Sequence, residues 1–232
     1  MFRFKQFTVF QSECAMKVGT DGVLLGAWAD THNATRILDI GTGTGLLALM
    51  LAQRAPHAEI TAIEIDPAAV DQAAANAQNS PWGDRIRIIG GDFGKHIFKE
   101  KFDLIVSNPP YFCNSLKNPD EKRKTARHDD TLTQETLAKG IAEIIAKNGT
   151  ACVIYPTAEG ESFIKTASSF GLHCTKRTDI HPQPGSPAKR LLLQFSPTEG
   201  ATATDAITIE NGERHQYTDE YIALTKDFYL NF

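Results

Sequence analysis

Short apolar runs alternate with stretches that carry apolar residues at helical spacing through most of the chain, and few architectures satisfy that order. RILDI (36–40), EITAIEI (59–65), RIRII (85–89), FDLIVS (102–107) and TACVIY (150–155) each read as a buried strand. Helical patterns over 44–54, 66–79, 131–147 and 158–170 separate or follow them. Asp66 followed by Pro67 is a helix start, a carboxylate cap with proline at the first helical position. Asn148-Gly149 is expected to stop the third of these helices. Strand and helix in alternation predict a parallel sheet with helices on both faces, an α/β fold. The pattern then changes: segments 173–181 and 189–196 flank PQPGSP, a turn-rich connection that predicts an antiparallel hairpin. A weaker run, ITIE near Ile207, and a helix over 218–229 follow, while the first thirty or so residues are expected to pack on one edge of the sheet. One domain over 1–232 is the expectation, with a cap segment (1–35), a core (36–196) and a C-terminal extension (197–232).

The turn after the first strand, LDIGTGTGL, places Gly41, Gly43 and Gly45 between a strand and a helix. Glycine permits the unusual backbone angles such a turn needs and lets a ligand approach closely. The helix behind it offers free amide donors and a partial positive charge. Leu46 stands where a dinucleotide fingerprint needs its third glycine, which disfavours a pyrophosphate. A ligand bringing a carboxylate and an adenosine, as S-adenosyl-L-methionine does, suits the Gly41-Thr42-Gly43 turn better. Glu64 ends the second strand between Ile63 and Ile65, where a carboxylate can accept both ribose hydroxyls; an ordinary surface carboxylate is the alternative. Asp92, in GGDF, either accepts from an adenine amino group with Phe93 against the ring, or caps a turn. Asp39 either reaches the methionine end of the ligand or braces the glycine turn. All of these fall at carboxyl ends of successive strands, where open parallel sheets bind ligands.

The fourth strand delivers SNPPYF to the same edge. Asn108 carries a side-chain carbonyl, and Pro109 a backbone carbonyl with no N–H on its own nitrogen. Two adjacent acceptors can bind both hydrogens of a planar exocyclic amine and direct its lone pair at an electrophilic methyl. Pro109 and Pro110 fix the local backbone, so the acceptors are held before substrate arrives. Tyr111 supplies a flat face on which a base can stack, an interaction of about 1 to 3 kcal/mol. The rival reading is a rigid turn that ends a strand.

The GTGTG, IEID, GGD and NPPY series resembles the class I S-adenosylmethionine-dependent methyltransferases that act on amino groups. The opening FKQFTVFQSECAMKVGTDGVLLGAWAD (4–30), the ARH at 126–128, RLLLQF (190–195) and the closing DFYL (227–230) resemble the bacterial family that methylates N6 of adenine 37 in valine tRNA. That resemblance implies a Rossmann-like, seven-stranded, mostly parallel sheet whose last strand is antiparallel. It also implies that the TDG segment covers the cofactor, with Thr20 and Asp21 near the methionine moiety. NPPY is shared with enzymes that methylate glutamine in proteins, adenine in DNA or guanine in ribosomal RNA, so it constrains the chemistry more than the substrate.

Between strand and helix, residues 111–130 form a connection far longer than the usual ~2 to 6 residues, which favours a functional loop. From Cys113 to His128, Lys117, Lys122, Arg123, Lys124 and Arg127 stand against Asp120 and Glu121, a local +3 although the whole chain carries a formal charge of -4. Lys122, Arg123, Lys124 and Arg127 are expected to meet tRNA phosphates, and His128 to stack on a base or donate to phosphate, unless it is a structural histidine. Lys189 and Arg190 extend the basic face. An anticodon-loop adenine is single-stranded and inserts into a pocket with less unstacking than a duplex base. The tail from Pro197 is acidic instead. With 41% hydrophobic and 22% charged residues and no membrane-length apolar run, a soluble cytoplasmic protein is expected, with monomer favoured over oligomer. Cys14, Cys113, Cys152 and Cys174 lack metal-binding spacing, so reduced thiols and no metal are expected. A cofactor-binding module without catalysis and a nicotinamide oxidoreductase remain as other classes, the first opposed by the intact NPPY and the second by the glycine spacing.

Overall fold

The structure, a computed structural model, describes residues 1–14, 17–110 and 132–232. Its centre is an eight-stranded sheet. The strands are β3 (Arg36–Ile40), β4 (Glu59–Glu64), β5 (Ile86–Gly90), β6 (Phe102–Ser107), β7 (Ile145–Pro156), β8 (His173–His181), β9 (Arg190–Ser196) and β10 (Ala203–Thr208). Across the sheet they run β10-β8-β9-β7-β6-β3-β4-β5. Every neighbouring pair is parallel except the two that involve β9, which runs antiparallel to β7 and β8. The β8–β9 hairpin predicted from its turn is therefore present, and β9 is the antiparallel strand that the family resemblance implied. One strand more than the expected seven is found. β10, which reads weakly because its residues are mostly exposed, adds parallel to the outer side of β8.

Helices cover both faces, as the alternation requires. α1 (Thr20–Trp28), α2 (Leu46–Arg54), α3 (Pro67–Gln78) and α6 (Asp219–Thr225) share one apolar cluster with Ile37, Leu104, Val106, Cys152 and Ile154 of the sheet. α4 (Gln134–Ile144) and α5 (Thr157–Ser169) share the other with Leu38, Ile40, Ile105, Ala151 and Val153. Successive strand residues thus alternate between the two cores, as the period of two demands. Asp66 caps α3 as predicted, its Oδ1 accepting from the Ala68 N–H, with Pro67 at the first helical position.

Two local expectations are corrected. α4 ends at Ile144, ahead of Asn148-Gly149, and β7 begins at once with Ile145 opposite Phe102. The register then jumps to Thr150 opposite Leu104, so Asn148-Gly149 sits in an irregularity of the strand; a Cβ at Gly149 would meet the Phe102 carbonyl at 2.8 Å. The N-terminal segment packs on a face of the sheet, not its edge. Residues Gly22 to Trp28 are all buried, because Gly22 and Gly26 let α1 lie directly on α2: Cβ atoms there would stand 2.9 Å from Leu46 Cδ2 and 2.7 Å from Met50 Sδ. The Trp28 Nε1–H donates to Thr178 Oγ1 at 2.9 Å and ties that helix to β8. A small hairpin of β1 (Phe2–Arg3) and β2 (Thr8–Val9) precedes it, with Phe4 near Phe7 and Tyr229. Cys14, Cys152 and Cys174 are free thiols, while Cys113 lies outside the described residues. Among the described residues no helix is long and apolar enough to cross a membrane.

Candidate active site

The glycine turn leaves β3 with φ of +71°, +54° and +83° at Gly41, Gly43 and Gly45, all in the left-handed region that favours glycine. The Gly41 and Thr42 N–H groups donate to the Ile63 carbonyl at 2.9 and 3.2 Å, which folds the turn back over β4. Among the described residues nothing lies within 4 Å of a Cβ built on Gly41 or Gly43, so this side of the turn leaves room of the kind a ligand needs. Gly45 faces Ala73 of α3, 3.5 Å from a built Cβ, and its backbone opens α2.

Asp39 sits beneath the turn, fully buried. Its Oδ2 accepts from Thr42 Oγ1 at 2.5 Å and from the Ala48 N–H at 3.2 Å, and Oδ1 has no partner among the described residues. Of the two readings of Asp39, bracing of the turn is the one these contacts display. Burial pushes its carboxyl up to about 7 from 3.8, against the opposing pull of Thr42 and Ala48. Glu64 is half-buried at the end of β4. Its Oε2 accepts from the Gly43 N–H at 2.9 Å, and Oε1 from the Ile65 and Asp66 N–H groups at 2.9 and 3.0 Å. The carboxylate therefore touches the glycine turn itself and is far from a free surface group.

Asp92 follows β5 in a turn, accepting from the Gly94 N–H at 2.9 Å and pairing with exposed Lys95 at 2.9 Å. Phe93 is buried in the second core against α4, where a Cβ on Gly140 would lie 2.5 Å from its ring. Asn108 and Pro109 emerge beside the glycine turn, because Ser107 pairs with Ile40 and its Oγ donates to the Ile40 carbonyl at 2.8 Å. Asn108 is half-buried, Pro109 buried and Pro110 exposed. Tyr111, Lys122, Arg123, Lys124, Arg127 and His128 lie outside the described residues.

Three further residues, none given a site role by the sequence, join these parts. Gly22 stands against Leu46 at the start of α2, and a Cβ there would lie 4.0 Å from the Asn108 amide nitrogen. This brings the TDG segment onto both the glycine turn and the NPP motif. Exposed Thr20 and half-buried Asp21 precede it, and Asp21 Oδ2 accepts from Arg190 Nε at 2.8 Å. Asn76, wholly buried in α3, donates to the carbonyls of Phe10 and Thr44 and accepts from the Phe10 N–H, so it links the N-terminal segment to the glycine turn. Ser107 is the third. None announces itself by spacing, since an isolated Asn in an Ala-rich helix looks like any polar residue.

Known proteins share both this fold and this sequence. Residues 6–148 match the model of the methyltransferase small domain. A protein of Bacteroides thetaiotaomicron called tRNA1(Val) (adenine(37)-N6)-methyltransferase is 50% identical over 99% of this chain and 97% of its own. Its namesake in Phocaeicola vulgatus is 52% identical over the same shares. The chain belongs to this methyltransferase family. These two alignments span nearly the whole of both partners, including the segments that flank the sheet core. Solved structures agree on the fold: a predicted O-methyltransferase of Agrobacterium tumefaciens superposes with a TM-score of 0.72 at 21% identity, over 90% of this chain and 96% of that one. A glycopeptide N-methyltransferase with bound S-adenosyl-L-methionine reaches 0.58 at 12%, over 79% and 90%.

Proposed function

We propose that the protein methylates N6 of adenine 37 in the anticodon loop of tRNA1(Val), with S-adenosyl-L-methionine as donor. The observation that carries this reading is the emergence of Asn108 and Pro109 beside an open, left-handed glycine turn, on strands tied by the Ser107–Ile40 bond. The names of full-length relatives at 50% and 52% identity support the substrate.

The residues fit the cofactor: no described residue fills the space above Gly41 and Gly43, and the Glu64 carboxylate already lies at the turn where a ribose would exchange for backbone donors. Gly41, Thr42 and Gly43 hold the methionine end, Asp39 braces their turn, Glu64 takes the ribose, and Asp92 and Phe93 border the adenine. Thr20 and Asp21 close the site from α1. When bound, the cofactor supplies a methyl made electrophilic by its sulfonium. The Asn108 side-chain carbonyl and the Pro109 carbonyl accept the two hydrogens of the target amine, which aims its lone pair along the transfer direction. Pro109 and Pro110 hold both acceptors in advance, and Tyr111 stacks on the base. Positioning carries such a displacement, and no activated nucleophile is needed. Lys122, Arg123, Lys124, Arg127 and His128 contact the RNA around the loop, in the cytoplasm where tRNA is modified.

Incubation with tRNA lacking the modification, followed by nucleoside mass analysis, is expected to give N6-methyladenosine at a single position. A folded, cofactor-binding enzyme that yields none sinks the reading. Methylated glutamine in a peptide assay instead would transfer the same acceptors to a protein amide.

A further inference from the structure

The carboxyl edge of the sheet does not end at Asn108. It continues through Pro156, which pairs with Arg190, and through His181, which pairs with Thr208. Above this outer stretch lies a groove of about 1090 Å³, walled by the hairpin residues Phe2 and Arg3, the start of α1, and the C-terminal segment. Arg3, Lys189, Arg190 and Arg214 line it, against the two carboxylates Asp21 and Glu210. Asp21 pairs with Arg190 at 2.8 Å, while Glu210 accepts from the His215 N–H at 2.9 Å and feels the charge of Arg214. Arg3, Lys189 and Arg214 are exposed and form no ion pair among the described residues. Four cations thus face two carboxylates in one groove, a local excess of two in a chain whose formal charge is -4. Half-buried rings stand beside them: Tyr217 and Tyr229 lie 5.1 and 5.2 Å from Phe232, edge to face, a packing that holds the rings in place.

We propose that this groove is a second RNA-binding surface, where Arg3, Lys189 and Arg214 hold the sugar–phosphate backbone of the tRNA whose target base enters beside Asn108. It rests on the tRNA reading above and adds to it the surface that grips the substrate away from the reacting atoms. Cations and aromatic rings lining one groove match a polyanion that carries planar bases. Continuity of the sheet edge supplies the path: Asp21 and Arg190 line the groove, and Gly22, next in the chain, reaches Asn108.

The test compares wild type, the triple variant Arg3→Glu/Lys189→Glu/Arg214→Glu, and a charge-matched control on the opposite side, Lys139→Glu/Lys147→Glu/Lys165→Glu, whose lysines are exposed. Binding of unmodified tRNA is measured from about 50 to 300 mM salt, alongside cofactor binding. The groove variant is expected to bind tRNA roughly 10 to 100-fold more weakly, and the slope of log K against log salt to shrink by about 2 to 3, near 0.7 to 0.9 for each phosphate that is no longer neutralised. Cofactor affinity and the saturated rate stay within twofold. Unchanged affinity and slope in the groove variant, or an equal weakening in the control, overturns the groove. Failure of the wild type to bind or methylate any tRNA would remove the functional reading itself, and is a separate result.

Discussion

Two stretches of one sheet edge are built by different means. Over β3, β4 and β6 the site is made of backbone: three left-handed glycines, a carboxylate that accepts from a glycine N–H, and a proline pair. Over β9, β8 and β10 it is made of side chains from residues 2–3, 18–24, 180–190 and 209–232, most of the cations exposed. The first stretch is suited to chemistry, because groups fixed in advance need no reorganisation when charge develops. The second is suited to adhesion, because long exposed cations adjust to a flexible polyanion and lose affinity in salt. If the comparison is sound, substitutions in the first change rate or cofactor affinity, and those in the second change RNA affinity alone.

The largest effect is expected at Asn108. Asn108→Ala removes one of two preorganised acceptors and should lower the rate by about 10² to 10³-fold, by analogy with removal of one oxyanion-hole donor. Cofactor affinity measured by titration should hardly move. A variant that binds cofactor and turns over at the wild-type rate would leave the motif as a mere turn.

Asp39 comes next, through stability. Its native carboxyl is raised to about 7 from 3.8, so between those values the folded state keeps a proton that the unfolded chain has released. Stability contributed by this group therefore falls as pH rises across that window and is level above it, with a slope of at most about 1.4 kcal/mol per pH unit. Urea unfolding at pH 5, 6 and 7 should show this fall in wild type relative to Asp39→Asn, which has no proton to release there. Parallel pH profiles would mean that Asp39 is ionised throughout.

Gly41→Ala tests whether the turn is held open by backbone angle. At φ +71° a methyl costs about 1 to 2 kcal/mol of strain, although no described residue lies within 4 Å of it. Stability should fall by that amount, and cofactor affinity should fall further because the methyl enters the ligand's space. Equal stability with unchanged cofactor binding would place the ligand elsewhere.

The same contrast explains what could be read in advance. Glycine and proline encode backbone geometry locally, so LDIGTGTGL revealed its turn and SNPPYF the end of its strand at Ser107 without knowledge of neighbours. Five buried strands and the β8–β9 hairpin were legible for a related reason, since apolar runs and turn residues act over short range. Gly22 and Asn76 were not legible, because their meaning lies in contacts to Leu46, Asn108, Phe10 and Thr44 that only the folded chain creates. The groove was hidden more deeply: Lys189 and Arg190 read as part of a basic face, but Arg3 and Arg214 stand at opposite ends of the sequence. β10 was only faintly legible, as the weak ITIE run, because an edge strand with exposed residues has little apolar run to display. The contact of Phe93 with Gly140 in the second core likewise could not be read from residue type.

Asp21 stands where the two stretches meet and gives the smallest and most discriminating effect. It pairs with Arg190 in the groove, while its neighbour Gly22 abuts the glycine turn and Asn108. The two side chains, Arg190 and Asp21, are 33% and 24% exposed, so the pair itself contributes no more than about 1 kcal/mol to folding. Asp21→Asn should therefore leave the unfolding midpoint nearly unchanged. Assigned to the cofactor site, Asp21 should weaken cofactor binding about fivefold when neutralised, equivalent to about 1 kcal/mol, with tRNA affinity unaltered. If instead tRNA binds more tightly and the cofactor is indifferent, Asp21 restrains Arg190 within the groove, and the boundary between chemistry and adhesion must be drawn one residue later, at Gly22.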